Sequence, residues 1–515
     1  MSASKRKWNG NTWRRRTALA AVVVSVAGLS LAGCSSKDNA SGTSGSSASS
    51  KPAAPVTITM MNTLWVTESP KTTSDAMQII QKTTGANLDI NWVPGATYTD
   101  KLNATIASGE MPQVLMVGIP FDKSPGFINA VRSGMFWEIG PYLKDYPNLN
   151  KMTASIVANS SIDGKTYGIY RGRPQALDGG LIIRKDWLDK LGMKAPTTID
   201  EWYNTMVAMK TKDPDGNGKE DTVAFAEHNE AKLLTWAITM YGGPNKWQQK
   251  DGKFTPDFMT PAYKQAINFV KKLYDEKLMN QDFATLQQNQ KKDLFFGGKA
   301  AMYEAAVSDA ALSTKALEQN QVDLVTGISG PGGPKIPAQP GYDGLYVFPK
   351  TKVKTEADLK AILSYFDKLA GPEVTNLLSW GIEGQHYKMD GGKPVTTEAK
   401  KFEDEINPLR QLRGTWDIIF RTGAEGLSPI RQKINKSYLD NQPNLVENPA
   451  YALISETYVS KGNELDQSMK DAAIKYIMGA IKEADLDKAI DSWRKGGGDQ
   501  IIKEYEDAWA KGQKK

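Results

Sequence analysis

From Pro55 onward the chain alternates between two hydrophobic periods. Val56, Ile58 and Met60 alternate with other residues at the period of a strand. Met77 and Ile80 follow in a helical segment that breaks at Gly85. Residues 88–93 return to a strand pattern, Tyr98 to Ser108 reads as a helix stopped by Gly109, and residues 113–117 give a third strand. This βαβαβ order predicts a parallel sheet covered on both faces. A second α/β region follows. Residues 181–183 are strand-like, and 200–210 are helical with Asp200 or Thr198 as N-cap. Residues 262–277 carry Tyr263, Ile267, Val270 and Tyr274 at helical spacing. Strands at 300–303 and 345–348 come next, then a helix faced by Leu359, Ile362, Leu363, Phe366 and Leu369. The tail from about 466 is helical, its last segment striped by Ile501, Ile502, Tyr505 and Trp509. If the strand at 345–348 rejoins the first sheet, the chain crosses between two lobes more than once. Such crossings make a hinge, and the cleft between lobes is a preferred ligand site.

The segment before Pro55 has a different character. A basic head (Lys5, Arg6, Lys7, Arg14, Arg15, Arg16) precedes an apolar, small-residue run ending in Leu31-Ala32-Gly33-Cys34. The run has the layout of an export signal and is too short for a spanning helix. Its end resembles the lipobox of bacterial lipoproteins, in which the processed cysteine carries lipid. Residues 1–33 are therefore expected to be a signal peptide, Cys34 the lipidated first residue, with palmitate as one acyl group, and 34–54 a Ser/Gly/Ala-rich flexible tether. The whole chain carries 64 basic and 58 acidic residues. The six basic residues named above account for the excess, so a chain cut before Cys34 is neutral. That argues against nucleic acid as a partner. Cys34 is the single cysteine, so no disulfide can form within the chain.

Five stretches, in order, resemble extracellular solute-binding proteins of ABC importers, specifically the large carbohydrate-binding lipoproteins. They are KLNATIASGEMPQVL at 101–115, LIIRKDWLDKLGMKAPTTIDEW at 181–202, DPDGNGKED at 213–221, GGKAAMY at 297–303 and WGIEGQHY at 380–387. The nearest subgroup is that of alginate- and oligosaccharide-binding members. The resemblance implies a two-lobed α/β periplasmic-binding-protein-like fold of the class II type, with an interlobe cleft and hinge. The expected lobes are 55–170 with 342–400, and 171–341 with 401–515. It also implies a monomer held outside the cell membrane by lipid on Cys34. It would deliver a carbohydrate to membrane permease subunits served by a separate ATPase.

The 213–221 loop places Asp213, Asp215, Asn217, Lys219 and Asp221 at alternate positions, with Gly216 and Gly218 between them. Carboxylates, an amide oxygen and the Lys219 carbonyl form the cage a hard cation wants, and structural Ca2+ is the expected cofactor. A calcium loop would place Glu at its twelfth position, where Ala224 stands. The resemblance implies instead a closing acid at the tenth, where Thr222 stands. A catalytic cofactor is not expected.

Sugar recognition needs flat aromatic faces and planar polar groups. Ligand loops in such folds follow the carboxyl ends of strands. These two rules select Trp65, Tyr98, Arg171, Arg173, Trp236, Tyr241, Glu304, Trp380, Glu383, Arg413 and Trp416 as ligand candidates. Trp92, Trp187, Trp202 and Trp493 are assigned to core, and His386 to turn stabilisation. With two histidines and none of the common nucleotide, nucleophile or zinc-protease motifs, an enzyme is not expected. The alternative from another class is a glycoside hydrolase-like lipoprotein using a carboxylate pair.

Overall fold

The computed structural model describes residues 56–65, 68–311, 317–318, 321–414 and 428–512. The expectations at Cys34, the signal segment, the tether and Trp416 lie outside them.

Local signals act where they were read. Ser74 caps the helix Asp75–Thr84 by accepting from the Met77 N–H, and Gly85 ends it in the left-handed region at φ 72°. The next helix, Gly95–Ser108, starts three residues earlier than its apolar pattern suggested and ends at Gly109. Thr198 caps the helix Ile199–Thr211.

The first sheet runs in the order Ala86–Pro94, Val56–Leu64, Val114–Gly118, Tyr342–Val347, Gly168–Gly172. Its first three strands are parallel, in register Val56 to Ala86 and Met60 to Val114. The late strand Tyr342–Val347 returns to this sheet, but antiparallel to both neighbours, so the sheet is mixed. The second sheet has the order Val322–Thr326, Gly180–Arg184, Ala300–Ala305, Val223–Ala226. Only its last pair is parallel.

Each sheet has its own apolar centre. Ile58, Val114, Leu345 and Phe366 belong to the first, and Leu181, Trp202, Phe225 and Met302 to the second. Trp187 and Trp202 are buried as expected of core residues, while Trp92 is only partly buried against the first centre. Phe402, Ile406, Leu409 and Leu412 also bury in the first centre, past the boundary expected at 400. A further cluster of Trp247, Phe254, Trp493 and Tyr505 ties the C-terminal helices to a hairpin at 247–256.

The chain passes between the sheets after Gly172, before Tyr342 and after Leu412. Backbone hydrogen bonds zip these passages together: Gly172 N–H to Gly414 O at 3.0 Å and Arg173 N–H to Gly341 O at 2.9 Å.

Candidate functional site

A cavity of about 720 Å³ opens where elements of both sheets and the C-terminal helices meet. Pro120 and Lys123 reach it from the first sheet, just past the strand ending at Gly118. Asp178, Lys232, Trp236 and Glu304 line it from the second. Tyr451, Asp466 and Trp493 close it from the C-terminal part. A depression of about 500 Å³ on the first half, near Leu143 and Val157, has no charged side chain in its wall and offers a polar ligand little.

Three carboxyl groups of the cavity wall, Glu304, Asp178 and Asp257, are reluctant to ionise, while Glu230 is held low by its bond to Lys470. Glu304 ends the strand Ala300–Ala305, and burial pushes it up to about 7 although Lys291 opposes the shift. The Lys291 ammonium donates to the Glu304 carbonyl at 2.8 Å and stands 3.7 Å from its carboxylate. Burial also pushes Asp178 up, against Lys232 and Arg173, and its carboxylate accepts from the Gln339 amide. Asp257 is pushed up by burial to about 6, against Lys246. Carboxyl groups, lysines, amides and aromatic rings thus share one wall, a chemistry suited to a ligand dense in hydroxyls.

The sequence-selected residues fall into separate places. Glu304 and Trp236 line the cavity. Trp236 is only 2 % exposed, it packs 5.5 Å from Trp202, and its buried indole N–H has no hydrogen-bond partner. Tyr241 ends the same helix, half-exposed against Phe269. Tyr98 is buried, its hydroxyl donating to the Met116 carbonyl at 2.6 Å, so it serves the first core.

Arg171 and Arg413 share one carboxylate. Arg171 Nε donates to Asp343 Oδ1 at 2.6 Å, Arg413 Nη2 pairs with Asp343 Oδ2, and Arg413 Nε donates to the Gly172 carbonyl at 2.9 Å. Burial works to raise Asp343, but Arg413 and Arg171 outweigh it and hold it below the usual carboxylate range. Arg173 is half-buried beside this group.

Trp380 is buried, 6.3 Å from the Tyr387 ring, and Glu383 is exposed on the turn that follows. Within that turn His386 Nδ1 accepts from the Ile382 N–H at 3.0 Å. Neither Trp380 nor Glu383 reaches the cavity wall.

Trp65 stands apart from the cavity wall, directly after the strand Val56–Leu64, and is 64 % exposed. One face of its ring lies on Gly95, where a Cβ would come within 2.4 Å of Cζ3. Having no Cβ, Gly95 lets the ring lie this close to the backbone. The indole is therefore held on a flat backbone support with its other face open.

The 213–221 loop is organised by its own hydrogen bonds. Asp213 accepts from the N–H groups of Gly216, Asn217 and Gly218. The Asn217 amide donates to Asp215 at 2.8 Å and to Asp221 at 2.9 Å. Asp213 is held low, first by the Gly218 N–H; Asp215 is pushed up by burial and by Asp213 beside it. Among the described residues no three His, Cys, Asp or Glu side chains are gathered as a metal site. The oxygen-rich donor set suits a hard cation, but seating one requires the Asn217 amide to turn its oxygen inward.

Sequence reasoning did not find Asp178, Lys232, Asp257, Tyr451 or Asp466, and it placed Trp493 in core alone. A signal existed for Asp178, which precedes the Gly179-Gly180 turn into a strand. The C-terminal residues carry no motif. They reach the wall only through packing of helices far apart in sequence.

Two sheets joined by several chain passages, with a polar-aromatic cavity between their elements, define a two-lobed solute receptor. The family described as "Bacterial extracellular solute-binding protein" matches residues 69–376, and the chain belongs to it. It is 41 % identical over 510 residues to the polygalacturonan/rhamnogalacturonan-binding protein YtcQ of Bacillus subtilis, covering 97 % of this chain and 99 % of that one. It is 35 % identical over 508 residues to lipoprotein LipO of the same organism, covering 93 % and 96 %. Among solved structures, the S. pneumoniae substrate-binding protein FusA in complex with kestose superposes with a TM-score of 0.64 at 19 % identity, covering 89 % and 99 %. An EF-hand mutant of FusA has also been solved. The family binds solutes and is not a family of enzymes, so the glycoside hydrolase alternative is set aside.

Proposed function

We propose that this protein captures an oligosaccharide outside the cell membrane and passes it to an ABC importer's permease. The observation that carries this reading is the cavity, where indole and phenol rings alternate with carboxyl, amide and ammonium groups drawn from both halves. Chain-long similarity to YtcQ favours fragments of pectic polymers, which are rich in galacturonate, over neutral sugars. Trp65 supplies a stacking face outside the cavity. Arg171 and Arg413 set the geometry of the chain passages.

The lipobox at 31–34 and the similarity to LipO support anchoring through Cys34. Stable anchoring takes at least two acyl chains. Similarity to the ABC transporter substrate-binding protein FusA supports permease subunits and an ATPase on separate chains as partners. The donor set at 213–221 supports a structural Ca2+, with Asp213, Asp215, Asn217 and Asp221 as side-chain ligands and Lys219 through its carbonyl.

The test is a tryptophan-fluorescence titration with oligogalacturonates and rhamnogalacturonan fragments, with product analysis of the same samples. Saturable change without turnover is the expected result; cleavage of the sugar, or silence toward every oligosaccharide offered, overturns it. A Cys34→Ser chain should leave the membrane fraction, and its retention there refutes the anchor.

A further inference from the structure

One arm of the cavity is walled by aromatic rings in unbroken contact. Phe258 meets Trp493 edge to face at 4.9 Å between centroids, and Trp493 lies 6.3 Å from Trp247. Trp247 meets Tyr505 at 5.0 Å, and Tyr505 lies 6.3 Å from Tyr458. All five residues line the cavity. They come from the hairpin at 247–256, the turn after it, and the C-terminal helices Glu456–Ile477, Glu483–Trp493 and Asp499–Gly512. Trp247, Trp493 and Tyr505 are buried, while Phe258 and Tyr458 keep part of their surface exposed. These two rings therefore offer the area a ligand can cover, and the buried three hold them. Tyr458 also lies over Gly462, where a Cβ would come within 2.7 Å of its ring. Rings fixed in this way lose little freedom when a ligand covers them.

The charges beside these rings are mostly acidic. Asp257 adjoins Phe258, and Asp466 accepts from the Tyr458 hydroxyl at 2.7 Å; both line the cavity. Lys246 stands with them, its carbonyl accepting from the Asp257 N–H at 2.8 Å. Lys470, one turn beyond Asp466, is paired with Glu230 at 3.0 Å. Apart from that pair, the wall of this arm holds two acids and one lysine among the described residues. A neutral sugar can lay its C–H face on the rings and donate its hydroxyls to the carboxylates, which only accept. A uronate would bring a third carboxylate into the group, and like charges at that range repel.

We propose that this arm is a subsite for a neutral hexose or deoxyhexose unit of the oligosaccharide, stacked on Phe258 and Tyr458 and hydrogen-bonded to Asp257 and Asp466. This rests on the sugar-receptor reading and adds to it a selection for fragments in which neutral units accompany galacturonate.

Calorimetric titration in a buffer well above pH 6, where Asp257 is ionised, tests the proposal. Three sugars of one length are compared: a tetrasaccharide alternating rhamnose with galacturonate, tetragalacturonate, and fully methyl-esterified tetragalacturonate. The alternating sugar and the ester should each bind tighter than the acid by on the order of tenfold. Phe258→Ala and Tyr458→Ala should each weaken the alternating sugar by roughly fivefold to tenfold, and the acid by less. Asp257→Asn should tighten tetragalacturonate and bring the ratio of acid to alternating affinities toward one. If an alanine variant fails to fold, Asp257→Asn, which keeps the side chain's shape, decides. Equal affinity for all three sugars, a preference for the acid, or a ratio unchanged in Asp257→Asn overturns the subsite and leaves the sugar receptor standing. An ester that binds as weakly as the acid assigns the discrimination to linkage and also overturns the subsite. Silence toward all three sugars overturns the sugar reading and the subsite with it.

Discussion

Replacing Gly95 by alanine tests Trp65 without touching its chemistry. The added Cβ would lie 2.4 Å from Cζ3 and 2.6 Å from Cε3 and Cη2 of the indole, where ordinary contact begins at 3.4 Å. The ring must retreat by about 1 Å at least, or swing off its support. The backbone at Gly95 is not left-handed and opens a helix, so alanine is locally acceptable. Alanine there should leave stability unchanged or raise it by about 0.4–1 kcal/mol. Binding should move the other way. A fully buried Trp covers roughly 150–250 Å². With 64 % of the residue exposed, one open face offers a sugar ring on the order of 50–80 Å². At about 25 cal/mol per Å² that contact contributes about 1–2 kcal/mol, or roughly five- to thirtyfold in Kd. Titration of Gly95→Ala, Trp65→Ala and the double variant, each with a thermal melt, provides the measurement. The singles should lose affinity at undiminished Tm, and the double should lose no more than Trp65→Ala alone. Wild-type affinity in Gly95→Ala, or additive losses in the double, refutes the stacking platform.

Glu304 and Asp257 titrate near 7 and 6 in the folded protein, above their unfolded values. Their stabilising contribution is therefore full below the unfolded values and is lost as pH rises through 6 and 7. The Tm should fall from pH 5 to 8, by a free energy of up to about 3 kcal/mol for Glu304. Glu304→Gln should remove most of that slope, and a flat wild-type profile contradicts the assignment. Asp343→Asn leaves Arg171 and Arg413 buried without their carboxylate and should cost about 3–5 kcal/mol in a denaturant melt. A loss under 1 kcal/mol would show the passage is held by other contacts. Calcium should raise the Tm and EDTA lower it, with Asp213→Asn blunting both; indifference to both reagents rejects the cation at the loop.

What the sequence disclosed was local. Gly85 and Gly109 ended their helices because a left-handed residue is a property of one position. The return of the 342–347 strand to the first sheet was legible from its hydrophobic run, but its antiparallel direction was not, because direction depends on the path of the chain between. Tyr98 carried its own correction: Leu102, Thr105 and Ile106 lie on the same buried face, so its helical spacing already pointed it inward. Trp236 sits in a helix apolar on nearly every side, with Leu233, Leu234, Ala237 and Ile238 all buried, so no periodicity separates cavity wall from core. The wall formed by Tyr451, Asp466 and Trp493 depends on helix packing across more than two hundred residues from Trp236, which no motif announces.

The passages between the sheets also carry the charges nearest the cavity. The first holds Arg173 and Asp178 and follows Arg171, the second holds Gln339 and precedes Asp343, and the third begins beyond Arg410 at Arg413. A rotation of one half against the other would bend the chain at these passages and change the spacing between groups carried on the two halves. A ligand that contacts Asp178 from one side and Lys123 from the other meets different spacings in open and closed arrangements. It must bind them unequally, and unequal binding is the condition for a ligand to shift the equilibrium between them. Asp343 limits how far the passages can part, since separating it from either arginine strands a buried cation. Bending is therefore expected outside that triad, in the connecting segments between Pro174 and Gly180 and before Gly341, which carry Asp178 and Gln339. If Asp178 and Gln339 contact the sugar, as the proposed function requires, closure would move the ligand-binding groups themselves and would give a permease a ligand-dependent shape to recognise.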